Sequence, residues 1–101
     1  MIKHIVIWRL KDFAEGNQKE VNAAIVKRKL ESLSGRIPGM SLIEAGIDFS
    51  RSDSSGDIVL YCEFSGRDAL DTYQKHPEHV AIKDFIGNVT QERRVVDYEQ
   101  S

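Results

Sequence analysis

The chain has 101 residues, 41% of them hydrophobic and 30% charged, with 14 Lys and Arg against 16 Asp and Glu for a formal net charge of −2. This composition is that of one ordinary globular domain, residues 1–101, and excludes multidomain machinery. A core this small gains noticeably from an oligomer interface. Without a basic excess nucleic acid is not an expected ligand, and no apolar run approaches the roughly 20 residues of a membrane span.

The single cysteine, Cys62, has no partner for an internal disulfide. The apolar opening is brief and runs into Arg9, Lys11 and Asp12, so it reads as a strand rather than a secretion signal, and the expected location is cytoplasmic. Within that opening, Ile2 to Leu10, strand alternation puts His4, Val6, Trp8 and Leu10 on one face and Lys3, Ile5, Ile7 and Arg9 on the other. A polar break over Lys11 to Asn17 follows. Apolar residues then recur at Ala23, Val26, Leu30, Leu33 and Ile37, the stripe of an amphipathic helix of about five turns, with Asn17 as its N-cap and Gly35 as its stop.

After the Ile37-Pro38-Gly39 turn, alternation returns from Met40 to Phe49, with Ile43, Ala45, Ile47 and Phe49 on one side and Gly46 marking a bulge or close approach. Ser50 to Gly56 has the composition of a surface loop joining a hairpin. Ile58 to Phe64 is the clearest strand, with Ile58, Leu60, Cys62 and Phe64 facing inward. Ser65 is the expected cap of the next helix, which ends before Pro77 and buries Ala69, Leu70 and Tyr73. His76 then caps a further helix whose first residue is Pro77, with Val80, Ile82, Phe85 and Ile86 inward. Arg93 to Tyr98 supply the last strand.

This order predicts an α+β, ferredoxin-like βαββαβ protomer with helices on one face of an antiparallel sheet. The other face, bearing Ile5, Ile7, Val59 and Val96, calls for a cover, most simply a homodimer pairing the two sheet faces.

Acid/base groups are concentrated where Tyr73, His76 and His79 cross the proline-marked junction. In the first turn of its helix His79 meets partial positive charge that lowers an imidazole pKa, and a neutral imidazole accepts a proton. His4 shares the helix-covered face with Val6 and Trp8 and approaches the same region, while Asp97 on the last strand is placed to accept a ring N–H and orient one of the imidazoles. Val6, Trp8, Val26 and Leu60 are the expected walls of an apolar ligand pocket between sheet and helices. No metal is expected, since there is no thiolate pair and no HExxH spacing. No cofactor is indicated, for want of a glycine-rich phosphate loop. Cys62, alternating inward with apolar neighbours, reads as inert.

Four segments together resemble the stress-responsive α/β-barrel domain, Dabb: Ile2 to Leu10, Ile37-Pro38-Gly39, the Tyr73-Gln74-Lys75-His76-Pro77-Glu78-His79-Val80 run and Val95-Val96-Asp97-Tyr98. The resemblance implies a ferredoxin-like protomer and a dimer whose sheets form a central α+β barrel. Most of the family has no assigned reaction. In one branch, polyketide cyclases closing a ring by aldol condensation, the positions matching Tyr73 and His79 are the acid/base pair and that matching His4 lines the pocket. Two readings follow: a module that binds a small apolar or carbonyl ligand, or a cofactor-independent cyclase, isomerase or lyase. Related barrels that oxidise aromatic compounds give a third.

Overall fold

The computed structural model describes residues 1–101. Strand β1 (Ile2–Leu10) leads into a small hairpin, β2 (Phe13–Ala14) and β3 (Asn17–Gln18), then helix α1 (Lys19–Glu31) and strands β4 (Met40–Ile47) and β5 (Ile58–Phe64). Helices α2 (Arg67–Lys75) and α3 (Pro77–Val89) and strand β6 (Thr90–Glu99) complete the chain. The main sheet has the order β4-β5-β1-β6, every neighbouring pair antiparallel, which with one α1 and a broken second helical arm is the ferredoxin-like α+β fold.

The alternation read in β1 and β5 is the alternation of burial. Ile2, His4, Val6, Trp8 and Leu10 of β1 and Ile58, Leu60, Cys62 and Phe64 of β5 are all buried beneath the helices. Ala23, Val26, Leu30, Leu33 and Ile37 are buried too, though the helix itself is shorter than its stripe. After Glu31 the chain tightens into successive turns, Leu33 N–H to Leu30 O and Arg36 N–H to Leu33 O, both 3.1 Å, which carry Leu33 and Ile37 into the core without α geometry.

Several local expectations are corrected. Asn17 belongs to the hairpin, whose turn residues Glu15 (φ 53°) and Gly16 (φ 76°) are left-handed; the cap position of α1 is Gln18, with no side-chain bond. Asn17 instead donates to the fully buried Asn22 (Nδ2 to Oδ1, 3.2 Å), whose own amide reaches the Ala14 carbonyl at 2.9 Å. Ser65 is likewise displaced as a cap by Gly66, and its backbone N–H donates to the Gly39 carbonyl at 2.9 Å. Phe49 lies beyond the end of β4 and is 92% exposed, and Val80 also points to solvent. The irregularity of β4 falls between Met40 and Leu42 rather than at Gly46.

The Gly39–Ser65 link seats α2 against the turn that enters β4, and it requires glycine. Gly39 has φ +80°, and a Cβ there would lie 2.6 Å from the Ala69 Cβ of α2. Gly39→Ala is therefore expected to destabilise the fold by about 2 to 4 kcal/mol, left-handed strain and overpacking combined. Urea denaturation measures this, and an unchanged midpoint would refute it.

Candidate functional site

Pro77 has no N–H to continue α2 and holds His76 extended (φ −64°, ψ 133°), so the chain pivots between α2 and α3. His76 is the cap it was expected to be: its Nδ1 accepts the Glu78 N–H at 3.1 Å. The pivot brings the last turn of α2 against the first turn of α3. Tyr73 and His79 consequently lie ring against ring, centroids 4.2 Å apart and planes tilted by 33°.

Both rings stand on the wall of a cavity of about 420 Å³ between the helices and the β1–β6 side of the sheet. His4, Val6 and Trp8 of β1, Leu60 of β5 and Arg93 of β6 form its floor; Tyr73, Gln74, His79, Lys83 and Ile86 come from α2 and α3, with Leu30 from α1. The cavity exists because the helices cover β4, β5 and β1 while every β6 residue from Gln91 to Glu99 is exposed in the protomer. Trp8 lines this space rather than filling it.

Of the candidate pocket residues, Val6, Trp8 and Leu60 lie on the wall, but Val26 does not. It is fully buried in the core beneath α1, and the helix offers Leu30, one turn on, to the cavity. Its neighbour Lys27 turns away, donating to Glu31 and to the Ala45 carbonyl at 2.8 and 2.7 Å.

His4, only 2% exposed, directs its Nδ1 at the Asp97 carboxylate across the β1–β6 ladder, where the two residues are register partners. Its ring stands edge-on to Tyr73, centroids 5.9 Å apart. Asp97 itself lies outside the cavity lining and acts through His4. The Tyr73 side chain is 0% exposed, and its hydroxyl is the one buried side-chain polar atom with no hydrogen-bond partner. Burial pushes the Tyr73 phenol well above its ordinary pKa, so it is held as a donor.

His79 Nδ1 faces the Gln74 carbonyl at 3.4 Å, which requires the proton on Nδ1 and leaves Nε2 with its lone pair. Its pKa is lowered from 6.5, chiefly by burial, with the charges of Lys83, His4 and Arg93 acting the same way and the Gln74 carbonyl opposing. Desolvation leads that list of causes, whereas the sequence suggested the helix dipole. The folded state thus binds this proton more weakly than the unfolded chain. The residue's contribution to stability falls as pH drops from 6.5 through the lowered value and is regained on raising the pH. His79→Gln is expected to flatten that acid-side slope in thermal unfolding; an identical slope in both proteins would refute the assignment.

Lys83 and Arg93, absent from the sequence-based site, were nonetheless findable. Lys83 is four residues after His79 and so shares its helix face, and Arg93 shares the strand face of Val95 and Asp97. Cys62 is buried, its thiol pushed up to about 12 by desolvation, so it stays protonated. No three His, Cys, Asp or Glu side chains converge as a metal site. A second cavity of about 420 Å³ lies between α1 and the 48–57 loop, where Lys19 reaches Asp12 at 3.4 Å and Asp57 at 3.5 Å and charges of both signs line the wall. It holds no comparable acid/base set.

Sheet order and cavity together define a ferredoxin-like α+β protein with an acid/base pocket under its broken helical arm. The family model for the Stress responsive A/B Barrel Domain, Dabb, matches residues 2–100, and the chain belongs to that family. A dimeric protein of unknown function with a ferredoxin-like fold from Bacteroides fragilis is 33% identical, covering 98% of this chain and 95% of its own at a TM-score of 0.85. A Dabb family protein from Mesorhizobium loti is 25% identical over 99% of this chain and 96% of its own, TM-score 0.72. Hydroxynitrile lyase from Passiflora edulis shares the fold at 13% identity, covering 99% and 93% of the two chains, TM-score 0.79. No curated protein matches the chain. No helix is long and apolar enough to cross a membrane.

Proposed function

We propose that the pocket binds a small carbonyl compound and moves a proton on it, a cofactor-independent reaction of the cyclase, isomerase or lyase type, in a homodimer of this chain. One observation carries the reading: the Tyr73 hydroxyl is buried beside the cavity with no partner. An unmade hydrogen bond of that kind costs about 1 to 3 kcal/mol, and a ligand's carbonyl oxygen would remove the deficit. Tyr73 then donates to the oxygen while Nε2 of the neutral His79 takes a proton from the carbon next to the carbonyl. The C–H electron pair passes into the enolate, whose oxygen the Tyr73 hydroxyl stabilises. His4, its Nδ1 fixed by Asp97, presents Nε2 as the group that relays or returns the proton.

The second copy covers the outer sheet face. There the register aligns Tyr61, Ile5 and Val96 in one cross-strand row and Val59, Ile7 and Arg94 in the next. Ile7 and Val96 are exposed in the protomer, and the Bacteroides fragilis relative is described as dimeric.

Deuterium uptake at the carbon next to the ketone of 2-oxo-4-phenylbutanoate, followed by proton NMR in D2O, tests the chemistry. Wild type is expected to accelerate exchange, and His79→Gln to lose it by about 100-fold or more. Binding without any accelerated exchange would leave a ligand-binding module instead.

A further inference from the structure

Two cations stand at this cavity with no counter-ion. Arg93 and Lys83 both line it, neither takes part in any ion pair, and neither side chain makes a hydrogen bond within the protein. Only six of the other twelve cations are ion-paired, Arg36–Glu78 at 2.7 Å and Lys27–Glu31 at 2.8 Å among them, so what sets Arg93 and Lys83 apart is their place on this cavity's lining beside Tyr73 and His79. No Asp or Glu is among the lining residues, and the Asp97 carboxylate is engaged by His4. One cation comes from β6 and the other from α3, and Tyr73 and His79 belong to the same lining.

We infer that the carbonyl ligand also carries an oxyanion, a carboxylate or a phosphate, which Arg93 and Lys83 hold while the ketone faces Tyr73 and His79. This rests on the carbonyl reading of the pocket and narrows it to keto acids and their phosphorylated counterparts. Chemistry favours the division of labour. A guanidinium presents a planar fork of donors that fits a carboxylate or phosphate bidentately, and an ammonium adds a point charge. Both lie where solvent still reaches, so they need not be desolvated until the anion arrives. The same charges stabilise the negative charge that develops on the enolate oxygen, and they help keep His79 unprotonated.

Three matched probes separate the possibilities: 2-oxo-4-phenylbutanoate, its neutral ethyl ester, and (2-oxo-4-phenylbutyl)phosphonate, each titrated into nitrogen-15-labelled protein and read from amide shifts around the cavity. The acid is expected to bind at least about tenfold tighter than the ester, the factor one charge-assisted hydrogen bond supplies. In the Arg93→Gln, Lys83→Gln double variant that ratio is expected to fall to about twofold or less. Tighter binding of the phosphonate than of the acid, lost in the same variant, makes the oxyanion a phosphate. Equal binding of acid and ester by wild type would overturn the oxyanion and leave the carbonyl reading intact. A preference that survives in the double variant would overturn the assignment to Arg93 and Lys83. Failure of all three probes to shift cavity resonances would overturn the carbonyl reading and this inference together.

Discussion

Tyr73→Phe is expected to make the protein more stable and far less active. The ring is wholly buried and packed against Phe64 (centroids 5.3 Å apart) as well as His79, and phenylalanine keeps every one of those contacts. What it removes is a buried hydroxyl that has no hydrogen-bond partner within the protein. Relieving that deficit should return about 1 kcal/mol or more, and for a domain of this length about 1 kcal/mol moves the unfolding midpoint by roughly 4 to 8 °C. In the proposed reaction the same hydroxyl is the donor to the enolate oxygen, and loss of one such donor lowers turnover by about 100- to 1000-fold. The opposed signs make the experiment decisive. A variant that unfolds earlier than wild type would mean the hydroxyl is satisfied; one that is stabilised but exchanges substrate protons at the wild-type rate would remove Tyr73 from the chemistry. Stability given up at a functional position is the usual reason a protein retains an unsatisfied buried group.

What the sequence made legible, and what it hid, divides along physical lines. Period-2 burial in β1 and β5 and the apolar stripe of α1 were readable because one side of each element faces a single core, so the pattern is imposed along its whole length. The Pro77 break was readable because a missing N–H and a fixed φ act locally, whatever surrounds them. The β2–β3 hairpin escaped notice because it is two residues per strand and depends on Glu15 adopting φ 53°, a conformation few non-glycine residues take. Ser65 and Asn17 have good capping chemistry, yet the helices start one residue later than that chemistry suggests, with Asn17 held in the β2–β3 hairpin and bonded to Asn22. In the site, Tyr73, His79, His4 and Asp97 stood out by residue type. Lys83 and Arg93 did not stand out by residue type, because a surface cation and a pocket cation look alike; only their spacing from His79 and Asp97 points to the cavity face that the fold gives them. Val26 was misplaced by one helical turn, since a buried stripe does not say which of its members meets a cavity and which meets solid core.

Val96→Asp is expected to convert the proposed dimer to protomers with little damage to the protomer itself. Val96 lies at the middle of β6 on the outer face, 58% exposed when the chain is alone, so a carboxylate there remains hydrated and the fold loses little. In a face-to-face pair the same position joins the row of Ile5 and Tyr61 and is closed off from water. Two related copies would each bury an unpaired charge, a cost of several kcal/mol per ion that an interface of ordinary size does not offset. Light scattering should therefore give twice the 11.5 kDa chain mass for wild type and the single mass for the variant. A dimeric Val96→Asp protein would exclude the outer sheet face as the interface. A monomeric wild type would mean that the apolar rows are left in water, which runs against how rarely a single chain exposes so large a contiguous patch. The pocket and the proposed interface lie on opposite faces of one sheet, joined by β1, whose His4 points into the cavity side and whose Ile5 points out. Dissociation would therefore expose the back of the strand that holds His4 to Asp97. The Val96→Asp protomer should keep the His4–Asp97 ladder pairing yet exchange more of its β1 and β6 amide protons, measurable by hydrogen exchange under native conditions.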